Sequence, residues 1–137
     1  MSDRTVRHDI AVSSTAGESV WELSTDRRGR GWTLTLTGPD RTWSADGPDL
    51  FEALRNLRRQ LDPLDVRLGC NGARRDAWAS GMQRDMGEGR LVYLLVAGQA
   101  GRPVQVDTLG PASPKDVGTV TEQDAYHTRW LATRSRP

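Results

Sequence analysis

Residues 31–61, GWTLTLTGPDRTWSADGPDLFEALRNLRRQL, decide the fold class. Gly31–Thr37 alternates: Trp32, Leu34 and Leu36 face one way, and Thr33, Thr35 and Thr37 face the other. β-branched Thr on the outer face favours a half-buried strand. Gly38-Pro39-Asp40 is a turn signature, and Arg41–Ala45 returns as a short strand carrying Trp43. Gly47-Pro48-Asp49 then opens a helix. Asp49 with Glu52 three residues on resembles a capping box, and Pro48 is tolerated at such an entrance. Leu50, Leu54, Leu57 and Leu61 form one apolar stripe, widened by Phe51 and Ala53. Arg55, Arg58 and Arg59 read as the opposite, solvated side. Asp62-Pro63 ends the helix. The stripe predicts a helix lying on one face of the sheet.

Outward from this stretch the pattern continues. Val6, His8, Ile10 and Val12 share one face of a strand, and residues 18–24, with Val20, Trp21 and Leu23, read as a second. Residues 65–70 alternate again, with Val66, Leu68 and Cys70 inward. Leu91–Val96 is the most continuous apolar run and reads as a central strand buried on both faces. Val104–Val106 reads as an edge strand. Thr119 and Glu122 make a second capping box, starting a helix to about Thr133 whose apolar face is Ala125, Tyr126, Trp130 and Thr133. The expected fold class is α+β: a single domain over 1–137, with a mostly antiparallel sheet of five to seven strands packed with two helices. Residues 1–5 and 134–137 read as frayed tails.

Composition bounds the function. A chain of 137 residues suits one domain, and 36% hydrophobic with 27% charged residues suits a globular one. No stretch approaches the ~20 consecutive apolar residues of a membrane span. With 19 basic and 18 acidic side chains the net charge is +1, which argues against nucleic acid as a partner. Lys115 is the only lysine; the arginines are spread along the chain, which reads as compositional bias rather than as one carboxylate or phosphate clamp. Cys70 stands alone, so no intramolecular disulfide is possible, and the first residues lack the apolar core of a signal peptide. The expected location is cytoplasmic.

The long stretch from Asn71 to Gly89 lies between two good strands and reads as an irregular, functional loop. Trp and Arg, the residue types that dominate binding hot spots, concentrate there. Met82 and Met86, four apart, share one side of a helical turn and offer a soft, adaptable surface. The candidate binding residues are Asn71, Arg74, Arg75, Asp76, Trp78, Ser80, Met82, Arg84 and Met86. The competing reading is an ordered lid, with Trp78 and the methionines plugging the end of the sheet and Arg74 paired locally with Asp76 or Asp85.

The stretch Cys70–Met82, with Met86-Gly87 and Arg90, resembles a group of short, uncharacterised bacterial proteins sharing a CNGxRxDxWxSGM-like loop. Val117–Gln123 and Trp130-Leu131 are similar as well. The likeness covers roughly residues 48–133 and leaves out the first 45. It implies that the loop is a defined element and carries over no active site.

Several chemistries compete with a binding loop. Cys70, at a strand end before an Asn-Gly turn, resembles a nucleophile elbow; His127 is its candidate base, with Asp76 or Asp124 to orient it. The structural alternative makes Cys70 a small core hydrophobe beside Val66 and Leu68. Two histidines and one cysteine match no metal-ligand spacing, so no metal or cofactor is expected. Gly87–Arg90 and Gly98–Arg102 are Gly/Arg turns able to meet a small anion, or plain hairpin turns. The leading expectation is a small cytoplasmic protein-binding module, an immunity or accessory protein acting through residues 71–89. The alternatives are a small Cys70 enzyme and a small-molecule-binding domain.

Overall fold

The computed structural model describes residues 5–96 and 103–134. β1 (Thr5–Ser14) and β2 (Gly17–Arg28) form a hairpin paired from Thr5↔Asp26 to Ser14↔Gly17. β3 (Gly31–Thr37) and β4 (Thr42–Gly47) extend the meander, and the short β5 (Arg67–Leu68) pairs antiparallel with β1 at Val12 and Ser13. The sheet order is β4-β3-β2-β1-β5. α1 (Leu50–Leu61) crosses its inner face, as its stripe requires. The Asp49 carboxylate accepts a 2.8 Å hydrogen bond from the Glu52 N–H, capping the helix. Leu54, Leu57 and Leu61 are fully buried against Leu23, Leu34, Leu36, Ile10 and Val12. Each such leucine contributes about 1.5–3 kcal/mol of transfer free energy.

A second antiparallel sheet is built from β6 (Ala77–Trp78), β7 (Leu91–Leu94) and β8 (Val104–Asp107), in the order β6-β7-β8. α1 serves this sheet too, because Phe51 packs on Ala77, Ala79 and Val92. α3 (Val120–Arg134) starts at the Thr119/Glu122 capping box, whose two bonds are 2.8 and 3.0 Å. The protein is a single-domain α+β fold.

Several expectations shift in detail. The described strands number eight in two sheets. A third helix, α2 (Gly81–Asp85), lies inside the stretch read as loop, and Ser80 and Gln83 cap it reciprocally at 2.9 and 3.1 Å. β7 is central but not buried on both faces. Val92 is fully buried, whereas Leu91 and Val96 are exposed, since only one face of this sheet meets α1. The inner face of α3 is Val120 and Gln123 rather than Ala125 and Thr133, which are exposed. Thr5 belongs to β1 and Arg134 closes α3; residues 1–4 and 135–137, read as tails, and the Gly98–Arg102 turn lie outside the described residues.

The largest correction concerns α1. Arg55 and Arg58 are buried, not solvated. Arg58 donates to Gln123 Oε1 at 2.9 Å and to the Gly118 carbonyl at 2.9 Å, with longer bonds to the carbonyls of Gly72 and Ala73. Arg55 donates to the same Gln123 oxygen at 2.8 Å and to Asp124 at 2.6 Å. The Gln123 amide nitrogen donates to the carbonyls of Gly72 (2.9 Å) and Arg74 (2.8 Å). These bonds use the whole hydrogen-bonding capacity of the amide and join α1, the 71–74 turn and α3. Burial pulls the Arg58 guanidinium down to about 10, so it remains charged at neutral pH.

Candidate functional site

Between the β6–β7 strands and α3 lies an open groove of about 570 Å³. Trp78 is its centre. Its indole stacks on His127 of α3, with centroids 3.8 Å apart and planes 10° from parallel. Phe51 meets the same indole edge-on at 5.7 Å. The guanidiniums of Arg55 and Arg84 lie 4.9 and 5.4 Å from its centroid, within cation–π range. Tyr93 of β7, Leu95 just after it, and Trp130 and Leu131 from α3 complete the apolar lining.

The cations are fixed in place. Arg84 donates to Glu52 at 3.0 Å and to the Ala79 carbonyl at 3.2 Å, and lies 3.8 Å from Asp49. Arg55 Nε has no hydrogen-bond partner among the described residues, though Glu52 lies 3.6 Å away. Burial pushes the Glu52 carboxyl up, but bonds from Arg84 and Arg59 and the charge of Arg55 outweigh it, leaving a net downward shift.

His127 is held below its ordinary pKa. Burial is the main cause; Arg55 and Arg84 act in the same direction and Asp124 opposes them. The folded protein therefore favours neutral imidazole. The stability this contributes is fully present above the unfolded value of about 6.5 and is lost as pH falls through the lower folded value. His127→Phe keeps an aromatic ring against Trp78 and removes the titration. Melting temperatures between about pH 5 and pH 7.5 are expected to fall faster for the wild type than for the variant below about pH 6.5. A constant gap between the two curves would contradict this account.

The segment 71–89 divides into two sets. Asn71 donates to the Asp107 carbonyl at 3.0 Å. Arg74 binds Asp76 through two bonds of 2.8 and 2.9 Å, with Asp116 at 3.7 Å. Arg75 donates to the carbonyls of Val117 and Lys115. Ser80 caps α2. Asn71, Arg74 and Arg75 thus hold the segment to the body, while Asp76 and Ser80 brace it internally. Met82 on α2 and Met86 at its C-terminal cap expose 72% and 77% of their surface, and Trp78 and Arg84 reach the groove. The segment is thus an ordered, tethered element that leaves a few side chains exposed.

Cys70 is fully buried in the core with Val66 and Leu68. Burial pushes its thiol up to about 11, the opposite of what a nucleophile needs. His127 stacks on Trp78 and the Asp76 carboxylate binds Arg74, so the Cys-His-Asp arrangement is not assembled. In the Gly87–Arg90 turn the Gly87, Gly89 and Arg90 N–H groups donate to the carbonyls of Met82, Gln83 and Gly87, so these three are engaged within the protein. Among the described residues, no group of three His, Cys, Asp or Glu side chains is placed to hold a metal.

Sequence reasoning named Trp78, Ser80 and Arg84 for binding and His127 for catalysis, and the structure brings all four to one groove. It missed Tyr93, Leu95 and Leu131 as groove residues and placed Trp130 on the apolar face of α3. For Trp130 and Leu131 the signal was their spacing from His127, three and four residues on along one helical face; for Tyr93 and Leu95 it was the two-residue strand period. The chain matches no family model and no curated protein.

Proposed function

We propose that this chain is a non-enzymatic binding module that takes an apolar segment of a partner protein into the groove between α3 and the second sheet. The observation that carries this reading is the lining itself: Trp78, Tyr93, Trp130 and Arg84, the residue types that anchor interfaces, converge on one concave opening. The exposed Met82 and Met86 extend the adaptable surface along α2. In a bacterial cytoplasm such a module serves as an immunity or accessory protein, holding its partner rather than turning over a substrate.

Leu131 is the residue to change, since it is 48% exposed and its loss spares the core. Tagged wild type and Leu131→Asp are used for capture from the native cell, with bound proteins read by mass spectrometry. A partner held by the wild type is expected to be retained about tenfold less by the variant, at unchanged melting temperature. Equal retention refutes the groove as the docking site.

A small-molecule reading is favoured by one observation. The groove volume of about 570 Å³ falls within the range of ligand pockets. A compound that raises the melting temperature of the wild type but not of Leu131→Asp would select it.

A further inference from the structure

β1 is an edge strand for half its length. β5 pairs with it only at Val12 and Ser13, and Gly69 adds one bond, donating to the Ala11 carbonyl at 2.8 Å. From Val6 to Ile10 no described strand pairs with that side. Successive residues of a strand point their backbone groups to alternate sides. Since the Ala11 carbonyl faces the open side, the N–H and C=O groups of Asp9 and Arg7 face it as well.

Charges on an edge normally ward off a second strand. Here the signs do the reverse. Arg7 and Asp9 flank His8 on the outer face and are self-complementary about it. An antiparallel copy centred on Arg7 or on Asp9 sets like charges opposite each other. Centred on His8, it sets Arg7 of each chain against Asp9 of the other. Those are also the residues with free backbone groups, so each Arg7/Asp9 pair exchanges both backbone bonds. On the inner face the same register lays Val6, which is 42% exposed, opposite the partner's Ile10. Gly69 occupies the edge at Ala11 and limits the pairing to Val6–Ile10, a common strand length.

A second observation concerns charge. Asp9 lies directly across from Glu22 in the β1–β2 ladder, a like-charge pair. Arg7 of the same chain reaches Glu22 at 3.5 Å, and among the described residues no cation pairs with Asp9. An Arg7 from a second copy supplies one on its open side.

We propose that two copies of this chain associate through antiparallel β1–β1 pairing centred on His8, which makes the first sheet continuous across a two-fold axis. An edge contact of this size belongs to the weak class of interface, so sedimentation is followed up to about 100 μM. The wild type is expected to reach twice the mass of the 15.2 kDa chain. Arg7→Asp and Asp9→Arg are each expected to stay monomeric, because each sets like charges against each other. Mixed in equal amounts, the two variants are expected to recover the dimer, since this register then pairs opposite charges again. Circular dichroism and melting temperature establish that each variant is folded. A wild type that stays monomeric overturns the proposal, and so do single variants that still dimerise or a mixture that does not.

Discussion

Gln123→Leu is expected to destabilise the protein by about 3–5 kcal/mol, lowering the melting temperature by roughly 10–20 °C. The substitution nearly conserves volume, so the loss comes from hydrogen bonding. Gln123 is fully buried and its oxygen accepts from both Arg55 and Arg58. Leucine leaves two buried guanidiniums short of a partner and removes the donor to the Arg74 carbonyl. A buried charge without its partner is far costlier than a lost surface bond. Gln123→Glu separates the two halves of this argument. It retains the acceptor for both arginines but sets a carboxylate against the carbonyls of Gly72 and Arg74. Its stability is expected to lie between wild type and Gln123→Leu, as read by urea denaturation. Equal stability of all three would mean that the network is not what holds α3 in place.

Gly47→Ala is expected to cost about 3 kcal/mol or more, through backbone rather than side-chain contact. A Cβ at Gly47 would stand 2.4 Å from the Ala53 nitrogen and 2.6 Å from its Cα. The end of β4 lies directly on the first turns of α1, and only a residue without a side chain allows it. The helix must lift from the sheet, loosening Leu54 and Leu57 in the core. Ala53→Gly added to Gly47→Ala is expected to give little rescue, because the backbone clash remains. Gly81→Ala is the control: a Cβ there meets nothing within 4 Å, and its midpoint in urea is expected to match the wild type within ~0.5 kcal/mol. A midpoint for Gly47→Ala close to that of Gly81→Ala would contradict this packing.

The meander and α1 were legible because one period governs each. Alternation at Trp32, Leu34 and Leu36 and the stripe through Leu50, Leu54, Leu57 and Leu61 report which face is buried, and burial follows. Arg55 and Arg58 were misread for a physical reason. Charge predicts exposure only where no partner compensates it, and their partner Gln123 is distant in sequence and invisible to any periodicity. The stretch 71–89 was read as irregular because its elements are short: β6 has two residues and α2 has five. One signal was present and unused, since Ser80-Gly81-Met82-Gln83 is itself a capping-box sequence. The groove was only half legible. Trp78 and Arg84 stood out by type, whereas His127 and Leu131 join them through the placing of α3, which depends on the buried amide.

The bond between Arg58 and Gln123 spans 65 residues of chain. At ~5–20 residues per second of synthesis, Arg58 is made roughly 3–13 s before its partner exists. Through that interval its only hydrogen bonds are the longer ones to the Gly72 and Ala73 carbonyls, so the guanidinium must stay largely hydrated, because burying an under-compensated charge is costly. The meander and the Leu stripe of α1 can associate on the ribosome, yet the Arg58 side of the helix has to remain wet until α3 arrives. The groove takes Trp130 and Leu131 from that same late helix, so the nascent chain acquires this groove, the docking face proposed above, only in the last step of its own folding.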